Sequence, residues 1–185
     1  MDFSDIIGQL DDLNQQVETL LAGFTGEQLN WRPAQGKWSM LECVSHLVQT
    51  GRAYLPGIRR ALDNAGPHVP GEQKGIAIRW FVIPLVRWME PPYRLKIPTV
   101  RIFTPAGNIL PDQVVRDFVE MNQSLRWQLQ RARSLDLRGI RVFSPYSRWV
   151  RFNPLEIGVF LSTHERRHLW QARLVSKMPG FPGHF

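Results

Sequence analysis

Two histidines, His164 and His168, stand four residues apart in the string HERRH. The string matches the H-E-x-x-H pattern of zinc metalloproteases, in which the glutamate, here Glu165, is the general base. On an α-helix, four residues advance the chain by about 400°, so the two rings lie about 40° apart around the helix axis. Their Cβ atoms are then about 5–6 Å apart, which is close enough for one metal ion to bind both histidines.

The residues that follow this motif argue against a peptidase. The extended zinc-peptidase signature requires glycine at position 171 and histidine at position 174, where this chain has Gln171 and Leu174. Another common arrangement takes a glutamate from a later helix, but no Asp or Glu follows His168. The HERRH string therefore predicts half of a metal site and not a peptidase.

A third ligand must come from elsewhere in the chain. His68 lies in a proline-rich loop and His184 lies in a Pro- and Gly-rich tail, so neither is expected to be held rigidly. His46 lies in the middle of a predicted helix, at the border of its apolar face. A lone histidine on such a face is more often an ordinary core residue, so the prediction depends on all three occurring together. Three imidazoles suit zinc, nickel or ferrous iron and leave a coordination position for water or substrate.

Four long amphipathic helices are predicted to position these histidines, because apolar residues recur at helical spacing. The predicted helices cover residues 3–23, 39–63, 111–133 and 154–177. Ser39 and Asn153, each followed three residues later by glutamate, are start signals for the second and fourth helices. Pro56 is expected to kink or shorten the second helix.

This pattern predicts an all-α fold, a four-helix bundle with long cross-connections, in a single domain over residues 1–185. Residues 134–152 are expected to form a connection, because no strand alternation is evident. Residues 66–110 are the least regular part of the chain. Within them, residues 75–92 are strongly apolar but too short to span a membrane, so a short helix or lid is expected, with a dimer contact or a membrane-surface patch as alternatives. Residues 94–110 look extended.

The composition narrows the classes of partner. The net charge is +7, and 19 of the 23 basic residues are arginine. The basic residues are spread along the chain and do not form a nucleic-acid-binding motif. We therefore expect no nucleic-acid partner, and an excess of arginine suits small anionic substrates equally well. The single cysteine excludes an internal disulfide bond, and acidic residues occupy the place of a signal peptide's basic segment, so we expect a cytoplasmic protein without stable membrane insertion.

Two stretches resemble the motifs of the DinB-like superfamily. Residues 29–50, LNWRPAQGKWSMLECVSHLVQT, contain a tryptophan and a proline before KWS and then a histidine followed by leucine; HERRHLWQ is similar to the second motif, H-x-x-x-H followed by glutamine. That superfamily includes DinB proteins, YfiT-like proteins regarded as metal hydrolases, bacillithiol transferases and mycothiol-dependent maleylpyruvate isomerases. The resemblance implies a four-helix bundle, often dimeric, whose metal ligands fall on His46, His164 and His168.

The resemblance also implies a metal-dependent enzyme, and a transferase that uses a low-molecular-weight thiol on a small electrophile fits best. The alternatives are a metal-dependent hydrolase of a small substrate and a non-catalytic dimeric metal-binding protein. Glu165 is a weak candidate for a general base, and a surface or inter-helix contact is the favoured interpretation. Cys43 is expected to be inert packing. Arg79, Arg87 and Arg94 are candidates to pair with a carboxylate of the substrate.

Overall fold

The structure is a computed structural model that describes residues 1–67, 77–92 and 109–183, except for the side chain of Arg148. Within these ranges the chain forms six helices and one hairpin. Their bounds are α1 Phe3–Ala22, α2 Gly26–Asn30, α3 Met40–Asp63, α4 Val82–Met89, α5 Pro111–Ala132, β1 Val142–Ser144, β2 Ser147–Phe152 and α6 Pro154–Val175.

The four long helices pack around one apolar core. Helix α1 packs against α5 and α6, and α3 packs against the same two helices. The order of the long helices around the bundle therefore differs from their order along the chain, because the connections from α1 to α3 and from α5 to α6 cross the bundle. The predicted four-helix bundle with long cross-connections is confirmed. Each long helix buries an apolar stripe, represented by Leu10, Leu47, Phe118 and Leu161.

Local hydrogen bonds define where the two histidine-bearing helices begin. The Glu42 NH donates to Ser39 Oγ, and the Ser39 NH donates back to the Glu42 carboxylate. Asn153 and Glu156 form the same reciprocal pair at the start of α6. Each pair satisfies two backbone donors that the first turn of a helix cannot bond internally. These two predicted starts are confirmed.

Of the two outcomes expected at Pro56, a kink or a shortened helix, the shortening does not occur, since α3 continues through this residue to the predicted end at Asp63. The expectation that the connection before α6 contains no strand is wrong. The connection before α6 contains an antiparallel hairpin in which Val142 pairs with Phe152, with an irregular register before Ser144. Val142 and Phe152 are buried, so the hairpin covers one side of the core with its inward-facing residues.

The described part of the irregular segment contains the short helix that was expected. Helix α4 buries Val82 and Met89 and packs against α6. Beyond α4, the Glu90 carboxylate accepts hydrogen bonds from the Arg166 guanidinium of α6, which fixes the end of the segment to the bundle. The extended chain expected over 94–110 falls outside the described residues, apart from 109 and 110. No described helix is both long and apolar enough to cross a bilayer.

The last described residues are anchored to the bundle. Phe181 is buried, and its ring makes edge contacts with Phe24 and Trp31 at centroid distances of 5.6 and 5.5 Å. The amide of Gln28, in the short helix α2, donates to the carbonyl oxygen of Pro182 at 2.9 Å. The loop that carries α2 is therefore tied to the chain beyond α6.

Candidate metal centre

The structure brings together the three histidines that the sequence singles out. His46 lies on α3 and His164 and His168 lie on α6, and one ring nitrogen of each lies within 4.8 Å of the others. Nε2 of His46 is 3.4 Å from Nε2 of His164. The rings of His164 and His168 have a centroid distance of 4.6 Å, as the four-residue helical spacing predicts.

The direction of the two helices explains how three residues meet. Tyr54 follows His46 by two helical turns, and its ring lies 5.8 Å from that of Phe160, which precedes His164 by one turn. Helices α3 and α6 therefore run antiparallel. The face of α3 that carries His46 is turned towards α6, so one residue from α3 and two from α6 converge.

Aromatic rings surround the histidine cluster. Trp38 lies in the loop before α3, with its ring 4.8 Å from that of His46 and 5.6 Å from that of His168. Phe160 stacks almost parallel to His164 at 5.9 Å. The loop that holds Trp38 is itself fixed, because the Arg32 guanidinium forms two hydrogen bonds with the Glu42 carboxylate at the start of α3. These rings limit the access of water to the cluster.

Burial keeps the two imidazoles of α6 neutral. His164 retains some exposed surface, yet desolvation, together with the nearby His46 and Arg167, lowers its pKa to about 3. Desolvation, followed by the charges of His164, His46 and Arg167, also holds the pKa of His168 well below its usual value, although a hydrogen bond with the Gln171 side chain opposes the shift. A neutral imidazole has a free lone pair, which is the form that binds a metal ion.

One ring nitrogen in the cluster is otherwise unexplained. Nδ1 of His168 is buried and has no hydrogen-bond partner among the described residues. Buried polar atoms normally have such partners, so an orphaned nitrogen indicates a missing ligand or water. Neutral rings, converging nitrogens and the orphaned atom together fit a divalent transition metal such as zinc, nickel or ferrous iron.

Glu165 faces away from the cluster and contacts another helix. Its carboxyl group is buried and accepts a hydrogen bond from the Asn122 side chain of α5 at 3.1 Å. Burial raises the pKa of Glu165 to about 8, although the Asn122 hydrogen bond partly opposes the shift. The structure agrees with the favoured interpretation of Glu165, in which its side chain makes an inter-helix contact.

Cys43 and the candidate arginines do not contribute to the cluster. Cys43 is buried, and desolvation raises the pKa of its thiol, which disfavours the nucleophilic thiolate. Arg79 is bound to the buried carboxylate of Glu156 and is unavailable to a substrate. Arg87 is exposed, and Arg94 lies outside the described residues.

His68 and His184 also lie outside the described residues. Trp38 and Phe160 are not predicted as site residues from the sequence alone. A signal exists for both, since Trp38 is part of the KWS motif and Phe160 precedes His164 by one helical turn.

Known proteins resemble this chain in sequence pattern and in fold. The chain matches the family model of the DinB superfamily over residues 9–172. No curated protein matches it. Its structure is similar to that of YfiT from Bacillus subtilis, which is described as a probable metal-dependent hydrolase with an unusual four-helix bundle topology. That likeness covers 97% of this chain and 88% of the other, with a TM-score of 0.62 and 14% sequence identity, so it concerns the fold.

Proposed function

Because this chain belongs to the DinB superfamily, we propose that it is a metal-dependent enzyme whose ion is bound by His46, His164 and His168. The reaction that we favour is transfer of a low-molecular-weight thiol to a small electrophile. The observation that carries the proposal is the convergence of three imidazole nitrogens within 4.8 Å inside an aromatic enclosure. Three protein ligands leave a position for an exchangeable ligand, as in catalytic sites.

The charges around the cluster suit an anionic ligand. When bound, a divalent ion acts as a Lewis acid, which lowers the pKa of a thiol or water molecule that it binds. Three neutral histidines do not offset the positive charge of such an ion. Arg167 adds to it, because its guanidinium is close enough to lower the pKa of both His164 and His168. The site therefore favours a thiolate over a neutral thiol.

The lack of a base at the cluster favours a thiol over water. Among the described residues, no carboxylate joins the three histidines. The nearest acid in sequence, Glu165, is directed to Asn122 and has a raised pKa of about 8, so it is protonated at neutral pH. A bound ion would lower the pKa of either molecule, but a free thiol starts from a pKa of about 8.5 and bulk water from about 15.7, so the thiolate forms with less assistance than hydroxide does.

A metal-dependent hydrolase of a small substrate is the second candidate. It is supported by the likeness to YfiT, which is described as a probable metal-dependent hydrolase. A homodimer, a single domain over 1–185 and a cytoplasmic location remain predictions from the sequence and from the family resemblance.

Metal analysis of purified variants tests the site. We expect about one equivalent of a divalent metal in the wild-type protein and a loss of most of it in His46→Ala and His164→Ala. His184→Ala is the matched control, because it removes an imidazole that is not assigned to the site. The assignment of the site is wrong if the wild-type protein binds no divalent metal. It is also wrong if His46→Ala binds as much metal as the wild-type protein does.

Turnover of a generic electrophile by the metal-loaded protein separates the functions. Turnover that requires an added small thiol supports the transferase. Turnover of an ester or amide that requires metal but no thiol supports the hydrolase. Tight metal binding without turnover in either assay would instead support the non-catalytic metal-binding protein.

A further inference from the structure

One side of the molecule exposes tryptophan and other apolar side chains to solvent. Four of the twelve large hydrophobic residues that are exposed in the described chain lie at 80–88, on and just before α4, and four more lie at 143–150, in the hairpin. Trp80 is 81% exposed and Trp149 is 80% exposed. Single exposed apolar residues are ordinary, but a contiguous group of them marks a surface that contacts another body.

The two groups form one continuous surface. Cζ of Arg79 lies 4.7 Å from the centre of the Phe81 ring, and the Arg79 guanidinium donates to the carbonyl oxygen of Arg151 at 2.6 Å. Cζ of Arg151 in turn lies 5.9 Å from the centre of the Phe143 ring. Through these contacts the start of α4 lies beside the hairpin, so the exposed side chains of both elements share one side of the fold.

The strands of the hairpin turn alternate side chains towards this surface. Val142 and Phe152 are paired across the hairpin and buried in the core. Their neighbours Phe143 and Arg151 therefore point to the opposite, solvent-exposed side, because successive residues of a strand face opposite ways. Trp149 precedes Arg151 by two residues on β2, so it lies on the same outer side.

The exposed charges of this surface are positive. We define the aromatic–arginine face as the exposed side chains of 80–88 together with Arg141, Phe143, Trp149 and Arg151. Its arginines, Arg87, Arg141 and Arg151, are all exposed. Within the described segments 77–92 and 140–152 the only acidic residue is Glu90, whose carboxylate is bound to Arg166. The face is therefore complementary in charge to a negatively charged partner.

We propose that the aromatic–arginine face binds the surface of a bilayer that contains anionic phospholipids. Tryptophan is enriched at the level of the lipid headgroups, because its indole combines an apolar ring with a polar NH. Arginines beside such rings are attracted to the negative potential of the leaflet, so apolar burial and charge act together. The protein lies on the bilayer in this arrangement and does not cross it. The inference is independent of a metal ion at the histidines.

A second copy of this chain fits the face less well. In a two-fold dimer the same surface lies on both subunits, so the arginines of both copies would be brought into one interface. The face has no acid to neutralise them, because Glu90 is already bound to Arg166, and like charges oppose association. Complementarity of charge therefore favours an anionic surface over self-association.

Nucleic acid is the other common anionic partner, and the make-up of the face disfavours it. The affinity of proteins for nucleic acid comes largely from many contacts between basic side chains and phosphates. Here three exposed arginines accompany exposed aromatic rings and the exposed aliphatic side chain of Ile83. Apolar side chains of this kind are buried by the boundary between headgroups and acyl chains, which a nucleic acid does not have.

Vesicle binding tests the face. The full-length protein is titrated with vesicles of phosphatidylcholine that contain about one third phosphatidylglycerol, and the bound fraction is measured by co-sedimentation. We expect saturable binding that is at least about tenfold weaker with pure phosphatidylcholine and that weakens as salt is added. Because the metal ligands take no part, metal-free and metal-loaded protein should bind alike.

Substitutions in the face have matched controls outside it. A variant with both Trp80→Ala and Trp149→Ala should bind the anionic vesicles at least about tenfold more weakly, because two large apolar rings are lost. The control is Trp127→Ala, which removes an exposed tryptophan of α5 and should retain wild-type binding. Arg87→Gln should weaken binding about fivefold, whereas Arg116→Gln, at an exposed arginine of α5, should not.

The outcomes separate the three possible partners. The substituted residues are exposed, so each variant should keep the wild-type thermal midpoint. Failure of the wild-type protein to bind anionic vesicles would overturn the proposal, as would undiminished binding by the double tryptophan variant. A dimer in sedimentation equilibrium that the same substitutions dissociate, without vesicle binding, would assign the face to a second copy. Binding of a single-stranded oligonucleotide in place of vesicles would assign it to nucleic acid. None of these results alters the metal analysis.

Discussion

Nε2 of His46 lies 3.4 Å from Nε2 of His164, although 118 residues separate them in the chain. Two imidazole nitrogens can approach this closely if one donates a hydrogen bond to the other, or if both direct lone pairs at a cation between them. A hydrogen bond between His46 and His164 does not involve His168, although Nδ1 of His168 has no hydrogen-bond partner among the described residues. A shared cation accounts for all three rings, and the first prediction follows from it.

Divalent metal should stabilise the folded protein through this cluster. Binding to the folded state alone adds about 2.7 kcal/mol when the free ion is at one hundred times its dissociation constant. We therefore expect zinc to raise the thermal midpoint of metal-free protein and a chelator to reverse the rise, as followed by circular dichroism. His168→Ala should abolish the effect, whereas His184→Ala should retain it. An equal zinc response in His168→Ala would contradict the assignment of this ligand.

The ion pair between Arg79 and Glu156 should make stability depend on acid pH. Burial alone would raise the pKa of Glu156, but hydrogen bonds from Arg79 and from the Asn153 backbone outweigh it and hold the pKa below its usual value. Because the folded-state pKa is the lower one, the pair stabilises the protein above about pH 4.3, and this stability is lost as the pH falls through the folded-state pKa. Urea unfolding between pH 7 and pH 3 should show a smaller acid loss for Glu156→Gln.

Removal of Arg79 should destabilise the protein more than removal of an exposed arginine of the same segment. Arg79→Ala leaves the fully buried Glu156 carboxylate without its partner, at a cost of about 3 kcal/mol near neutral pH. Arg87→Ala is the matched control, because Arg87 is an exposed arginine of the same segment and should change the free energy of unfolding by less than about 0.5 kcal/mol. Equal effects of the two substitutions would mean that the ion pair does not hold this segment to α6.

Two glycines of α3 should respond oppositely to alanine. A Cβ at Gly51 would overlap Sδ of Met121 and come within 2.8 Å of its Cγ, so Gly51 permits the close packing of α3 against α5. We expect Gly51→Ala to destabilise the protein by about 1–3 kcal/mol. A Cβ at Gly57 meets nothing closer than 3.7 Å, so Gly57→Ala should gain up to about 1 kcal/mol from helix propensity. Thermal unfolding measures the stability of both variants. If Gly57→Ala destabilised the protein and Gly51→Ala did not, the packing argument would be refuted.

The anchor formed by Phe181 should contribute to global stability. Phe181→Ala removes a buried ring from between Phe24 and Trp31, and we expect a loss of about 3 kcal/mol. The control is Met178→Ala, since Met178 is exposed. Urea titration followed by tryptophan fluorescence measures both, and a Phe181→Ala midpoint equal to that of the control would mean that this anchor adds nothing.

The helices and the histidine cluster could be predicted because their signals are local. Ser39 and Asn153 each stand three residues before a glutamate that returns their hydrogen bond, and helical periodicity follows. The pairing of His164 with His168 follows from one helical repeat. Helix α2 has an equally local signal, the capping box of Thr25 and Gln28, but its five residues are too few for helical periodicity to develop.

The remaining features depend on residues that are distant in sequence. Strand β1 has three residues, too few for an alternating pattern, and it is defined by pairing with β2 and packing on α3. Arg79 looked available for a substrate because its partner, Glu156, is 77 residues away. The contact of Tyr146 with Tyr54 likewise exists only once the hairpin has folded onto α3. Composition and spacing contain no signal for these contacts.

The division of the three histidines between α3 and α6 has a consequence for biosynthesis. While the ribosome is still translating, a nascent chain that ends before α6 contains His46 but neither of the α6 histidines. The full donor set cannot exist until translation has passed His168 and α6 has docked against α3. Any ion held by all three is therefore acquired after the other long helices have been synthesised, so it locks a nearly finished bundle and cannot template the early steps of its assembly.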